Sequence, residues 1–208
     1  MPDFSQWSDA QIGDLIVSMV PLVMWGAALL FAGIAIWRGP RPVIWGTVFD
    51  KLLRYLFIFP LGVQALWALF CQVFLPEESA ASIGWAPSPF QYEVGVANLG
   101  IAIGCFYAAF GNFQARAAMA IVAGCFLAGA GVGHINQIIE DANFAPGNAG
   151  PIMITDFLTP IVVLVLLLLS PRGRQQNGDG NMQFSQGMRI VEDVMTEYKT
   201  TLKDLAKN

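Results

Sequence analysis

His134 is the only histidine in the chain, and it stands in an apolar stretch. Two carboxylates, Glu93 and Asp156, occupy similar surroundings. One imidazole and two carboxylates suit several kinds of chemistry. They can relay a proton or hydrogen-bond the head of a quinone or another polar small molecule. They can bind a divalent metal, since nitrogen and carboxylate oxygen ligands suit Fe, Mn or Zn. A single histidine makes this the poorest match, and no metal is assigned. They can also form a purely structural hydrogen-bond cluster. An ionisable residue in mid-membrane costs about 2.5–3.5 kcal/mol on insertion scales, so it normally faces an interior partner. Asn98, Asn136, Gln137, Glu140 and Asn148 lie close enough along the chain to join. The candidate polar site is therefore Glu93, Asn98, His134, Gln137 and Asp156. No residue pattern names a catalytic group or a cofactor, and enzymatic activity stays an open alternative.

The surroundings follow from composition. Of 208 residues, 55% are hydrophobic and 12% charged, with a mean hydropathy of +0.55. Soluble domains carry about 25% charged residues. A soluble enzyme and a disordered chain are excluded on that ground. The net charge of -4 offers no basic footprint for nucleic acid. Cys71, Cys105 and Cys125 are odd in number, lack a CxxC pair and sit among apolar residues, so they read as small buried hydrophobes. The start, MPDFSQWSDAQIGD, is acidic and carries no Lys or Arg, unlike a secretory signal, and is expected to be retained.

A membrane helix needs roughly 20 apolar residues. Five segments qualify, at 15–37, 52–75, 90–111, 117–138 and 152–170. Pro21, Pro60 and Pro160 fall inside them and are expected to kink helices, which membrane bundles tolerate. The expected fold class is an all-α membrane protein. Residues 1–171 form a five-helix transmembrane domain, 172–184 a flexible linker and 185–208 a cytoplasmic amphipathic helix. One threading puts all eleven Lys and Arg on one side, and the positive-inside rule then places the N-terminus outside and the C-terminus in the cytoplasm. Arg54, early in the second span, can snorkel and is assigned no function. Trp7, Trp25, Trp37, Trp45, Trp85 and Tyr92 read mostly as an interfacial aromatic belt.

Spans three and four are joined by a few residues near Asn112–Ala115 and must be antiparallel neighbours. Gly100 and Gly104 on one, with Gly129 and Gly133 on the other, suggest close backbone packing. Glu93 and His134 lie equally far from the turn. Glu93 shares a helical face with Ala97, Gly100 and Gly104, so its carboxylate is expected to point inward. Asp156 is about one turn inside span five. The three residues are thus expected to meet in the outer half of the bundle.

The outer loop 76–89 reads as a short Pro/Ser-rich link. The loop 139–151 ends in APGNAGP, where Gly147, Asn148 and Gly150 suit positive φ, and it reads first as a tight connector. In the tail, Val191, Met195, Tyr198, Leu202 and Leu205 keep heptad spacing. That helix could lie on the membrane surface, or mediate homo-oligomerisation or docking of a membrane protein partner.

The stretches SPFQYEVGVANLGIAIG (88–104) and GHINQIIEDANFAPGNAGPIMITDFLTPI (133–161) resemble motifs of an uncharacterised prokaryotic membrane protein family, a domain of unknown function. The resemblance covers about residues 85–170. That family in turn loosely resembles the DoxX-like four-helix membrane proteins, some of them linked to quinone redox chemistry. The resemblance implies a multi-pass protein of the bacterial inner membrane with no established activity. Two function classes remain: a small-molecule, quinone or proton site built on Glu93, His134 and Asp156, or a non-catalytic subunit or scaffold docking a partner through residues 185–208. The topology is checked by reporter fusion. A C-terminal fluorescent fusion is expected to be bright and a C-terminal alkaline phosphatase fusion inactive; the reverse pattern contradicts the assigned orientation.

Overall fold

The computed structural model describes residues 9–170 and, beyond them, Met188, Arg189, Glu192, Met195 and Thr196. The linker expected at 172–184 and the seam positions Val191, Tyr198, Leu202 and Leu205 lie outside the described residues. The chain divides into two units at Ser170. In the second, Thr196 Oγ1 donates to the Glu192 carbonyl one helical turn back, at 2.8 Å.

The first unit is all-helical among its described residues. Helix α1 is Asp9–Trp37. Helix α2 runs over Trp45–Phe74, α3 over Pro76–Ile83, α4 over Phe90–Phe110 and α5 over Phe113–Asp141. A single turn, α6, is Pro146–Ala149, and α7 is Pro151–Leu169. Five helical segments, of 21 to 30 residues, are long and apolar enough to cross a membrane. At 1.5 Å per residue the shortest still reaches about 30 Å, the thickness of a bilayer's hydrocarbon core. Their outward faces carry exposed Leu30, Ile103, Ile121, Ile139 and Leu168.

Pro60 explains the one irregular stretch of α2. It has no N–H to give, and its ring crowds the preceding turn. The helix widens into a π segment over Phe57–Val63 rather than breaking. Phe57 and Leu61 of that segment are core residues. Gly62 lets α4 come close, since a Cβ there would stand 2.7 Å from the Phe106 ring.

The helices pair differently from the sequence expectation. Helix α4 lies mainly along α2, and α5 mainly along α7; the α4–α5 contact is smaller. Gly100, Gly129 and Gly133 face open space, where a Cβ would meet nothing within 4 Å. At Gly104 an added Cβ would run into the Met119 thioether, a flexible side chain that fills the gap between α4 and α5. On α5 it is Gly131 that admits a rigid ring, where a Cβ would stand 2.7 Å from Phe157 of α7. The expectation is thus corrected for Gly100, Gly129 and Gly133, while Gly104 does meet span four through Met119; Gly124 and Gly131 on α5 receive Pro160 and Phe157 of α7.

One end of the bundle is basic. There Asn112 caps α5 by accepting from the Ala115 N–H at 2.9 Å. Arg116 is buried in the first turn of α5. Its guanidinium donates to the carbonyls of Ala108 and Ala109 at 3.2 and 3.1 Å, in the last turn of α4, and to Asp50 of α2 at 2.8 Å. Arg54 lies 3.7 Å from the same carboxylate, with its guanidinium carbon 5.4 Å from the centre of the Phe110 ring. Farther along the bundle, Trp25 Nε1 donates to Thr159 Oγ1 at 3.0 Å and ties α1 to α7, a role the aromatic-belt reading missed.

Glycine substitutions separate the two packing schemes. Gly131→Leu is expected to cost about 1–3 kcal/mol by overpacking against Phe157. Gly100→Leu is expected to leave the thermal midpoint in detergent within a degree or two of the parent. Loss of the folded species in Gly100→Leu but not in Gly131→Leu restores the original hairpin scheme.

Candidate functional site: a polar pair at the head of an apolar cavity

The opposite, acidic end is built from two short helices. Helix α3 replaces the plain loop expected at 76–89. Pro76 stands at its first position, Glu77 and Glu78 occupy its first turn, and Gly84 closes it at φ 77°. These suit a helix start, its positive end and a left-handed cap. The signal was present in the sequence as Pro-Glu-Glu followed by Gly. Asn143 then donates to the Ile83 carbonyl at 2.9 Å, fastening α3 to the segment after α5.

That segment turns at Ala142, which has φ 51°. The Gly147, Asn148 and Gly150 positive-φ expectation is therefore corrected, because Ala142 and Gly84 are the left-handed residues among those described. The turn of α6 carries Asn148 inward until none of it is exposed. Its amide nitrogen donates to the carbonyls of His134 and Asn143 at 3.2 and 3.0 Å. Both amide hydrogens are thereby used, and Oδ1 is left facing His134 Nδ1 at 2.7 Å. A carboxamide oxygen can only accept. Nδ1 must carry the hydrogen, and Nε2 points away toward α7.

On α7, Asp156 is 2% exposed. Its Oδ2 lies 3.6 Å from His134 Nε2. That is beyond good hydrogen-bond length. The ring of Trp85 stands 6.3 Å from the imidazole, centre to centre. His134 and Asp156 open on a cavity of about 570 Å³. Asn98, Ser18 and Gln64 also line it, whereas most of its wall is apolar, including Pro60, Leu61, Ala68, Phe126 and Leu127. Along α5 the lining runs from His134 to Ala123, about 16 Å at the helical rise.

The other expected site residues divide. Asn98 is buried, donates to the Val94 carbonyl at 2.9 Å and lines the cavity. Glu93 is exposed and outside the lining, so the expected Glu93–His134 meeting is corrected. Contact with α2 sets the buried face of α4 as Gly95, Asn98, Ile101, Ala102 and Cys105, and this turns Glu93 outward. Glu93 stands instead in the first turn of α4, where the helix dipole favours a carboxylate. Gln137 does not line the cavity; its backbone carbonyl accepts the Asn143 N–H at 3.1 Å and its side chain meets Asn143 at 3.4 Å. Asn136 and Glu140 are exposed. Asn148, read first as part of a connector, is the residue that orients the histidine. Among the described residues, no group of three or more His, Cys, Asp or Glu could hold a metal ion.

Five helices able to cross a membrane, an all-helical bundle and a buried polar pair define the class. The chain belongs to a family of unknown function, DUF6790, whose model matches residues 18–176. The match reaches well beyond the 85–170 region that suggested it. No curated protein and no solved structure matches the chain.

Because His134 is the only histidine, selective ¹⁵N-histidine labelling gives one imidazole to observe. Nδ1 is expected to show a protonated, pyrrole-type shift that persists as pH is raised. Asn148→Ala is expected to remove that preference and to lower stability by about 1–3 kcal/mol, because buried polar groups lose their partner. A pyridine-type Nδ1 in the parent contradicts the assigned tautomer.

Proposed function

We propose that this protein is a multi-pass protein of the bacterial inner membrane that binds a small amphiphilic molecule, with His134, Asp156 and Asn98 at the head of the site. The carrying observation is the His134–Asp156 pair opening on a 570 Å³ cavity with mainly apolar walls. Ligand sites typically measure about 300–1,000 Å³ and combine such walls with a few convergent polar groups. The DoxX-like resemblance, with its link to quinone redox chemistry, points the same way only as far as a polar head on an apolar chain. Glu93 is exposed and outside the lining, so it has no part in this reading.

The charge distribution supports an N-terminus outside and a C-terminus in the cytoplasm. Arg38, Arg41, Lys51, Arg54 and Arg116 gather at one end of the bundle, and Glu77, Glu78, Glu140 and Asp141 at the other. The cavity's polar head then lies in the outer half. A hydrogen-bonding site there orients a bound head; no reaction is assigned to it.

The test is chemical. Protein extracted from its native membrane in a polymer disc is denatured, and the released small molecules are identified by mass spectrometry. The parent is expected to release a non-phospholipid amphiphile in near-stoichiometric amount, and Ala130→Phe, which fills the cavity, to release at least about ten-fold less. Equal release from both variants overturns the reading.

A further inference from the structure

Resting on that ligand-binding reading, we propose that the ligand is an uncharged single-chain amphiphile whose head carries a hydroxyl, seated against both His134 Nε2 and Asp156 Oδ2 from the cavity side, with its chain toward Ala123. The 3.6 Å gap carries the argument. Nδ1 is committed to Asn148, so Nε2 and the carboxyl are the two groups left to meet a ligand. They stand too far apart to satisfy each other, yet one oxygen can lie about 2.8 Å from both. When the pair shares one proton, one member donates and the other accepts. A hydroxyl does both and completes the set. An ether or an ester oxygen accepts only and leaves the acceptor of the pair unmet.

Charge narrows the class further. The ionisable acids in the lining are Asp156 and, at the rim, Glu78, and neither Lys nor Arg lines the cavity. A carboxylate or phosphate head would meet like charge with no fixed counter-ion other than His134, which Asp156 already faces. The volume suits one chain rather than the two of a phospholipid. The entry route is also legible. Val17, Trp67 and Val94 line the cavity and are each more than a third exposed on the flank of the bundle, at 38, 39 and 38%. They belong to α1, α2 and α4, and a membrane-dissolved molecule reaches the cavity between them.

Full-length protein in nanodiscs is irradiated with palmityl alcohol bearing a mid-chain diazirine, and separately with palmitic acid bearing the same group. Labelled residues are mapped by mass spectrometry. The alcohol is expected to mark Gln64–Cys71 and Ala123–Leu127, to be displaced by plain palmityl alcohol, and to label at least about ten-fold more than the acid. Ala68→Trp, which narrows the cavity without touching the pair, is expected to abolish that labelling. His134→Gln, which keeps a donor and an acceptor, is expected to retain more of it than His134→Leu. Cavity labelling by the acid equal to that by the alcohol overturns the hydroxyl proposal and leaves the ligand site standing. Labelling by both probes confined to outward positions such as Ile103 and Leu168 overturns the site itself.

Discussion

One guanidinium decides which helices lie side by side at the basic end of this bundle. Lipid tails are as apolar as leucine, so apolar contact gives a helix little reason to prefer one face over another. A buried polar group does give a reason, because leaving it unpaired costs several kcal/mol. Arg116 answers with three donated bonds. Two reach the carbonyls of Ala108 and Ala109 in the last turn of α4, the first of which the Gly111 N–H also reaches at 3.1 Å. The third reaches Asp50 and brings in α2. With α4 and α2 set in register there, the shape of their surfaces does the rest. Gly62 admits Phe106, and the π segment around Pro60 turns Phe57 and Leu61 into the core.

The long apolar runs were legible because length and composition alone mark them. The α2 start at Trp45 was not, because its first turns carry Asp50, Lys51 and Arg54, which depress hydropathy yet sit within the helix. The facing of α4 was misread for a different reason. GxxxG spacing records that a close approach is allowed, not which helix makes it. Helix α2 takes the face next to Gly95 and Asn98, Gly100 is left in the open, and Glu93 goes with it. His134 and Asp156 were found because ionisable residues are rare enough in apolar segments to stand out. Asn148 was named only as near enough to join and as a turn residue, because Asn in a Pro- and Gly-rich turn is ordinary; its complete burial beside a histidine is what distinguishes it. Residues 172–184 and most of 185–208 carry expectations about a linker and a docking helix that lie outside the described part of the chain.

The two ends also differ in how they use short connections. At the basic end the Asn112 cap lets α4 turn directly into α5. At the acidic end two short helices, α3 and α6, are fastened through Asn143, which reaches the carbonyl of Ile83 and accepts the N–H of Ala145 at 3.1 Å. They form a roof over the head of the cavity, with Trp85 and Gly147 both in its lining. Loops positioned by a rigid frame are where binding groups usually sit. Here the histidine stays on the frame and the loop supplies only the amide that orients it.

The contrast between the two polar clusters bears on what the second one is for. Arg116 is closed: its bonds run from 2.8 to 3.2 Å. Arg54 beside it is looser, 3.7 Å from Asp50, so the tight end of that cluster is the Arg116 guanidinium itself. On its Nδ1 side His134 is equally closed, at 2.7 Å. On its Nε2 side it is open, with Asp156 at 3.6 Å and a cavity beside both. The same residue is thus hydrogen-bonded on one edge and, on the other, beyond good hydrogen-bond length from Asp156. Fixing the first edge sets which nitrogen faces the cavity, and it removes the rotational freedom a bound head would otherwise have to overcome. In the proposed ligand site, a histidine fixed in one tautomer stands 3.6 Å from a carboxylate, and a third polar atom would reach both from the cavity beside them. In the same proposal, the apolar length of the cavity from His134 to Ala123 takes the hydrocarbon chain that carries that group.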